Sequence, residues 1–403
     1  MKKTHNDPDS CIACTSCVAY CPVSAATRKY AGPKMMGPAL ERFRGTDPNT
    51  EFSLEYCSNC KNCDISCPSG VPVSTLNMLA KAKLYKTKRH SLLDWLLSHS
   101  DQLSKLASPI APLSNFGMAN PITKWILKQV GITDTMSLPA YANRTFIQQF
   151  RALKQQSSPN KVGFFSGCYI NYYEPDIGLD LVAVLQHNGY EVIVPEGLDC
   201  CGSPLVGKGY LDEAMDKGRT NIAALKPWFD QGIPVITCCT SCGLMLKMEY
   251  QELMDLEHME QLAEHTYDAS EFLVGLQDQG KLNTHFGTLS GRYLYHAPCH
   301  LRAQGIGRPS LELLRQIPGI EVEDADAGCC GQSGTYGFQV ATHDIAMTIG
   351  EPVFQRFREY APDAIVSDCS GCRMQIAQAT GFPAVHPLTL LRRAYDAARK
   401  PGA

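Results

Sequence analysis

The chain has 403 residues, 44% of them apolar, which is material for two or three domains with cores of their own. A formal net charge of −3 gives no basic face for a nucleic-acid partner, and no apolar run approaches the length of a membrane span. The 19 cysteines follow an opening, MKKTHNDPDS, without the apolar stretch of a secretory signal, so metal or redox chemistry is expected rather than a disulfide framework.

The first eight cysteines form two matching runs, Cys11-x2-Cys14-x2-Cys17-x3-Cys21-Pro22 and Cys57-x2-Cys60-x2-Cys63-x3-Cys67-Pro68. Thiolates two residues apart in a tight turn converge on three corners of one cubane. The fourth Cys of each run, expected on a helix and pointing away, ligates the other cluster. The expected ligand sets are therefore crossed. Cys11, Cys14, Cys17 and Cys67 hold one 4Fe–4S cluster, and Cys57, Cys60, Cys63 and Cys21 hold the second. Zinc also uses paired Cys-x2-Cys, but it has no need of a third step and a Cys-Pro, twice over. The 35 residues between Cys21 and Cys57, and the helical text VPVSTLNMLAKAKLY, suit a helical ferredoxin domain over residues 1–87.

Residues 88–158 contain no cysteine and read as a helical connector broken by Pro. SLLDWLLSHSDQLSKL puts Leu92, Leu96, Leu103 and Leu106 on one helical face; PITKWILKQV does the same with Ile122, Trp125, Ile126 and Val130. Packing of both faces onto the chain itself is the expectation. A surface-lying membrane contact is the second reading, since Trp and Leu opposite Lys suit an interface.

The remaining cysteines lie in an internal duplication, expected as domains over residues 159–285 and 286–403. The text FFSGC, LDCCGSP and VITCCTSC recurs as LYHAPC, AGCCGQSG and IVSDCSGC, with matching cysteines 129 to 131 residues apart. KVGFF, EVIVP and PVITC are apolar runs of buried-strand type, separated by helical text such as DIGLDLVAVLQH, so each half reads as a parallel α/β unit. The candidate metal sets are Cys168, Cys200, Cys201, Cys239, Cys242 and Cys299, Cys329, Cys330, Cys369, Cys372. Five soft ligands exceed what a tetrahedral zinc uses, which favours an iron–sulfur cluster in at least one repeat, with zinc in one of them as the alternative. Gly202 and Gly331 permit unusual backbone angles behind the paired cysteines. Cys238, matched by Asp368, reads as a buried spectator. His296 and His300 flank Cys299; a hydrogen bond to backbone is expected of them, tuning of a cluster being the alternative. His99, His187 and His386 read as structural.

The text C-x31-CCG-x35-CC-x2-C and C-x29-CCG-x37-C-x2-C resembles the cysteine-rich CCG domains of heterodisulfide reductase. A ferredoxin followed by two such repeats resembles the iron–sulfur subunits of glycolate oxidase and of anaerobic glycerol-3-phosphate dehydrogenase. YAGPKMMGPALERFR, FFSGCYINYYEPDIGLDLV, SGTYGF and HPLTLL are most similar to the iron–sulfur subunit family of the latter. The resemblance implies an α+β multi-domain chain with a helical two-cluster domain and two α/β CCG domains. It also implies an electron-transfer subunit with no catalytic residue of its own. Such a subunit passes electrons from a flavin-containing pair of dehydrogenase subunits to menaquinone and anchors the complex, peripherally, on the cytoplasmic face of the inner membrane. One or two further clusters, non-cubane in this family, are implied on the repeat cysteines. The absence of a GxGxxG after a strand agrees, since the chain then has no flavin or nicotinamide site. A disulfide-cleaving catalyst of the heterodisulfide-reductase type and a zinc-stabilised scaffold are the competing readings.

Overall fold

The computed structural model describes residues 7–44 and 52–399; residues 1–6 of the opening text lie outside them. The two cysteine runs form loops that each feed a one-turn helix, Ser16–Ala19 and Asn62–Ile65. Pro22 then opens the helix Pro22–Ala26, with Cys21 as its N-cap, because a proline in the first turn sacrifices no hydrogen bond. Cys67 differs from expectation. It stands in a turn rather than on a helix, its sulfur accepting the Val71 amide at 3.3 Å.

The helix α1, Val73–Tyr85, runs behind both loops and is buried along most of its length, including Thr75, Asn77 and Lys81. Good helix formers such as Leu76, Met78, Ala80 and Ala82 sustain it, while its neighbours on every side remove any simple amphipathic pattern. The Lys81 ammonium donates to the Gly207 carbonyl at 3.0 Å, and burial pushes its pKa down to about 8. Between that value and the unfolded-state value of about 10.4, the unfolded chain holds one proton more, so stability climbs as pH rises through this window. Below pH 8 the buried cation costs about 3 kcal/mol, offset by roughly 1 kcal/mol from its hydrogen bond. Lys81→Met is therefore expected to be more stable than the parent at pH 7, by about 2 kcal/mol, and to lose that advantage by pH 10. Anaerobic denaturant midpoints at both pH values check this, and a gap that does not change with pH refutes it.

The connector helices Ser100–Ala107, Ala111–Ala119 and Pro121–Val130 follow. The first turns Asp101 and Ser104 inward, where Lys217 meets Asp101 at 2.7 Å and the Tyr173 hydroxyl meets Ser104 at 2.8 Å. Leu106 is left outside, 76% exposed. Pro121–Val130 buries none of its residues, and Ile122, Trp125 and Ile126 face solvent. The expected packing is thus absent for Ile122, Trp125 and Ile126 and holds only in part for the first face, where Leu92 and Leu106 are exposed. Leu93, Leu96 and Leu97 do pack, against Ile132, Met136 and Phe338. No described helix is long and apolar enough to cross a membrane.

Each repeat is a four-stranded parallel sheet. In the first, β1 (Lys161–Phe164), β2 (Glu191–Ile193), β3 (Val235–Thr237) and β4 (Thr266–Asp268) lie in the order β2-β1-β3-β4, with Val162 opposite Val192 and Gly163 opposite Val235. In the second, β5 (Gly291–Tyr295), β6 (Ile320–Asp324), β7 (Ala364–Val366) and β8 (Ala384–Val385) lie in the order β6-β5-β7-β8. In both, the chain steps from the first strand to one side and then crosses to the other. Such a switch point leaves a crevice beyond the carboxyl ends of the two central strands, and the cysteine loops fill it.

The repeats pack reciprocally. Pro175–His187 of the first lies against Pro387–Ala398 of the second, and Ala269–Asp278 lies against Pro309–Leu314. One apolar core, with Phe164 and Leu181 from one side and Tyr295 and Leu391 from the other, runs through both. Within it Asp368 accepts the hydroxyls of Tyr295 (2.7 Å) and Ser310, and the Ser310 oxygen accepts in turn from the Ser270 hydroxyl at 2.7 Å. Cys238 is buried in this core, apart from the thiol sets.

Candidate iron–sulfur centres

In both N-terminal loops the residues on either side of the middle cysteine adopt left-handed backbone angles. Ala13 and Thr15 have φ of 59° and 67°, and Asn59 and Lys61 have φ of 53° and 61°. This alternation curls the loop so that successive amides and thiols face one point, the concave geometry that favours an anionic cluster. Cys11, Cys14, Cys17 and Cys67 line a single small pocket between the first loop and the turn after Pro68. Burial raises the Cys17 thiol pKa, and the neighbouring Cys11, Cys67 and Cys14 raise it further. The second loop gathers Cys57, Cys60 and Cys63, and here the extra thiol is Cys21. Burial and then Asp64, Cys60, Cys57 and Cys21 push up the Cys63 thiol. Around this second set stand Asn77, whose amide lies 3.1 Å from the Tyr30 hydroxyl and 3.7 Å from the Cys57 sulfur, and Tyr336, whose buried hydroxyl has no partner among the described residues. Donors aimed at a thiol pocket fit a sulfide-rich group.

The two C-terminal sets share one pattern of thiol shifts. Cys200 and Cys329 are the low-pKa members, each favoured as thiolate by hydrogen bonds from the thiols on either side of it, Cys168 and Cys201 or Cys299 and Cys330. Cys239 is lowered by Cys242, and Cys369 by Cys372, the latter to about 7. Sulfur–sulfur separations are 3.6 Å for Cys168–Cys200 and 3.2 Å for Cys330–Cys372. A Cβ on Gly167, whose φ is +64°, would sit 2.9 Å from the Cys242 sulfur, so glycine is what lets the backbone close over the set. All five thiols of each repeat are thus brought together, and they are soft donors suited to iron–sulfur clusters.

A family model of a 4Fe-4S dicluster domain matches residues 7–71, and one of a cysteine-rich domain matches residues 162–247 and 293–377. The chain is 36% identical over 391 residues to the C subunit of anaerobic glycerol-3-phosphate dehydrogenase of Escherichia coli, covering 96% of this chain and 98% of that one. It belongs to that C-subunit family. The B subunit of the CoM/CoB fumarate reductase of Methanothermobacter marburgensis is 30% identical over 378 residues, 91% of this chain and 67% of that one. Lactate utilization protein A 2 of Bacillus cereus is 29% identical over 224 residues, 54% of this chain and 89% of that one.

In this member of the C-subunit family the thiol sets adjoin: Cys17 and Cys63 share one apolar cluster, Cys21 and Cys57 share another with Cys329, and Cys57 also packs against the cluster that holds Cys200, Cys201 and Cys242. Cys329 raises the Cys60 thiol pKa, and Cys60 raises that of Cys299. His300 clamps the junction, one ring nitrogen 3.0 Å from the Asn59 carbonyl and the other 2.9 Å from the Ser241 hydroxyl. Lys61, buried beside Cys60, lies 3.3 Å from Glu249 and 3.0 Å from Glu252 of the first repeat. Burial alone would lower its pKa; Glu249, Glu252 and Asp64 overcome this and raise it. The two repeat sets meet through Cys239 and Cys369.

His296, expected only beside the site, enters it: its ring nitrogen and the sulfurs of Cys330 and Cys372 all lie within 4.8 Å of one another. Burial lowers its pKa to about 4, which keeps a nitrogen lone pair free. The first repeat has Phe165 in the equivalent place, three residues before its first cysteine. The match of FFSGC with LYHAPC carries this difference, but the thiols that His296 approaches lie at least 34 residues further on.

Proposed function

We propose that the chain is the iron–sulfur electron-transfer subunit of an anaerobic glycerol-3-phosphate dehydrogenase. It receives electrons from a flavin-containing pair of dehydrogenase subunits and delivers them to menaquinone at the cytoplasmic face of the cell membrane. Cys11, Cys14, Cys17 and Cys67 would hold one 4Fe–4S cluster; Cys57, Cys60, Cys63 and Cys21 would hold the other. The two five-cysteine sets would hold one or two further clusters. Bound clusters supply reversible single-electron storage. The observation that carries the reading is the packing of thiol sets on one another, Cys17 with Cys63, Cys21 and Cys57 with Cys329, and Cys57 against the cluster of Cys200, Cys201 and Cys242. Around it the protein contributes a dry lining, hydroxyl and amide donors near sulfur, and the Lys61 cation to balance negative charge.

Membrane attachment is supported by the apolar surface that the connector leaves outside: Leu106, Ile110, Leu113, Phe116, Ile122 and Trp125 are each at least 54% exposed. Exposed apolar side chains of this kind suit a membrane interface, and Lys124 on the same helix suits anionic headgroups. The test is reconstitution under anaerobic conditions. The chain should carry about eight or more irons and copurify with its flavin partners. It should also let them reduce a menaquinone analogue with glycerol 3-phosphate as donor. Iron-free protein, or partners that reduce the quinone equally well without the chain, would sink the reading. Flotation with liposomes should be weakened by Trp125→Asp combined with Ile126→Asp.

One observation favours a different metal in the second repeat. His296 beside Cys330 and Cys372 makes a mixed nitrogen–sulfur donor set of the kind zinc accepts. About one zinc per chain, lost in His296→Ala, would assign it.

A further inference from the structure

A cavity of about 550 Å³ opens onto the first repeat's thiol set. Cys168 and Cys200 of that set are among its lining residues. The lining is mixed: Ile147, Phe150 and Leu198 are apolar, Lys105 and Tyr172 can donate hydrogen bonds, and Arg151 and Glu196 are charged. Lys105 is tethered to the thiol loop. Its ammonium lies 3.0 Å from the Asp199 carboxylate, which at 2.8 Å also accepts the Cys200 amide. The lining also includes Ser108 and Pro109, and flanking these in the chain are Leu106 and Ile110, 76% and 54% exposed, part of the apolar surface of the connector.

We propose that this cavity is the binding site of the quinone ring, a bicyclic naphthoquinone whose isoprenoid tail leaves across Pro109 towards the apolar connector surface. The inference rests on the quinone reading above and adds where the ring sits. A flat ring with two carbonyl oxygens asks for apolar faces and for donors at its edge. Ile147 and Phe150 supply the faces, and the Lys105 ammonium and Tyr172 hydroxyl supply the donors. Conversion of the ring to its hydroquinone takes two electrons and two protons. The electrons arrive singly from the reduced flavin enzyme by way of the thiol sets. The protons pass to the two ring oxygens from Lys105 and Tyr172, which regain them from water. Lys105 also offsets negative charge building on the nearer oxygen.

The test is equilibrium binding to the full chain, purified anaerobically with its clusters. The probe is 2-heptyl-4-hydroxyquinoline N-oxide, read by quenching of its fluorescence and displaced by menadione, a soluble naphthoquinone. The parent should bind one probe per chain. Ile147→Trp, which enlarges an apolar lining residue, should weaken binding at least tenfold with iron content unchanged, and Lys105→Met should weaken it about fivefold. Parent-like affinity in Ile147→Trp overturns the cavity while leaving the quinone reading standing, because the probe then binds elsewhere. Should that variant fail to fold, Lys105→Met, altered at a half-exposed side chain, decides in its place. A parent chain that binds neither probe nor menadione overturns the cavity and the quinone reading together.

Discussion

Cys67→Ala should extinguish the same cluster as Cys11→Ala, and Cys21→Ala the same cluster as Cys57→Ala. This pairing follows from the crossed geometry and contradicts the simpler idea that each run of four serves its own cubane. Cys67 shares a pocket with Cys11, Cys14 and Cys17 across a sequence gap of 50 residues, while Cys21 adds its charge to Cys57, Cys60 and Cys63. Each substitution leaves three thiolates where a cubane needs four, so about four irons per chain should be lost. Electron paramagnetic resonance of the reduced protein should then lose the broadening that two neighbouring clusters impose on one another. Tyr30 identifies the survivor, since its hydroxyl stands by the Cys57 set. Tyr30→Phe should shift the remaining signal in the Cys67→Ala background and leave it unmoved in the Cys21→Ala background. If Cys67→Ala and Cys57→Ala gave the same spectrum, the crossing would be wrong.

The cysteine spacing made the two N-terminal sets legible because it encodes geometry directly: a thiol every third residue allows few conformations that bind metal. The left-handed angles at Ala13, Thr15, Asn59 and Lys61 were not legible, since none of these is a glycine and intrinsic preference argues against such a conformation at Ala and Thr. The closing strands β4 and β8, three and two residues long, are too short to show a period, and it is their parallel pairing with β3 and β7 that defines them. Periodicity correctly marked Ser100–Ala107 and Pro121–Val130 as two-faced, but it carries no information on which face meets the protein. The first buries Asp101 because Lys217 waits there, a partner 116 residues away. The second finds no partner among the described residues for Ile122 and Trp125. Strand runs, the duplication and both five-thiol sets were readable because each repeats at a nearly fixed offset. The asymmetry of His296 and Phe165 was readable only as a difference in letters, until folding set the imidazole against two thiols.

That near-symmetry makes the twin glycines informative. Gly331→Ala should be far more damaging than Gly202→Ala, although both follow a Cys-Cys pair and both have positive φ, +86° and +91°. The backbone strain of a side chain in the left-handed region is common to the two, roughly 1–2 kcal/mol. What differs is the space. A Cβ on Gly202 would meet the Ala214 side chain at 3.2 Å, a contact relieved by a few tenths of an ångström of movement. On Gly331 it would land inside the carbonyl oxygen of Ala346, in the first turn of the long helix His343–Tyr360. Backbone oxygen cannot rotate away, so either the helix or the Cys329–Cys330 turn must shift, adding about 2–3 kcal/mol of overpacking. The helix also carries Ile345 and Ile349, which pack with Cys329, Tyr336 and Val23 against the ferredoxin part. Movement of the turn is then the softer response, and it displaces two thiols of the second set. Gly331→Ala should therefore lose the metal of the second repeat and fall in thermal midpoint, while the first repeat keeps its own. Gly202→Ala should retain its metal with a small loss of stability. Metal analysis of the two variants side by side decides the matter: equal retention would mean that the turn has slack that the Gly331–Ala346 contact denies, and equal loss would mean that positive φ alone, not the packing behind it, sets the requirement for glycine.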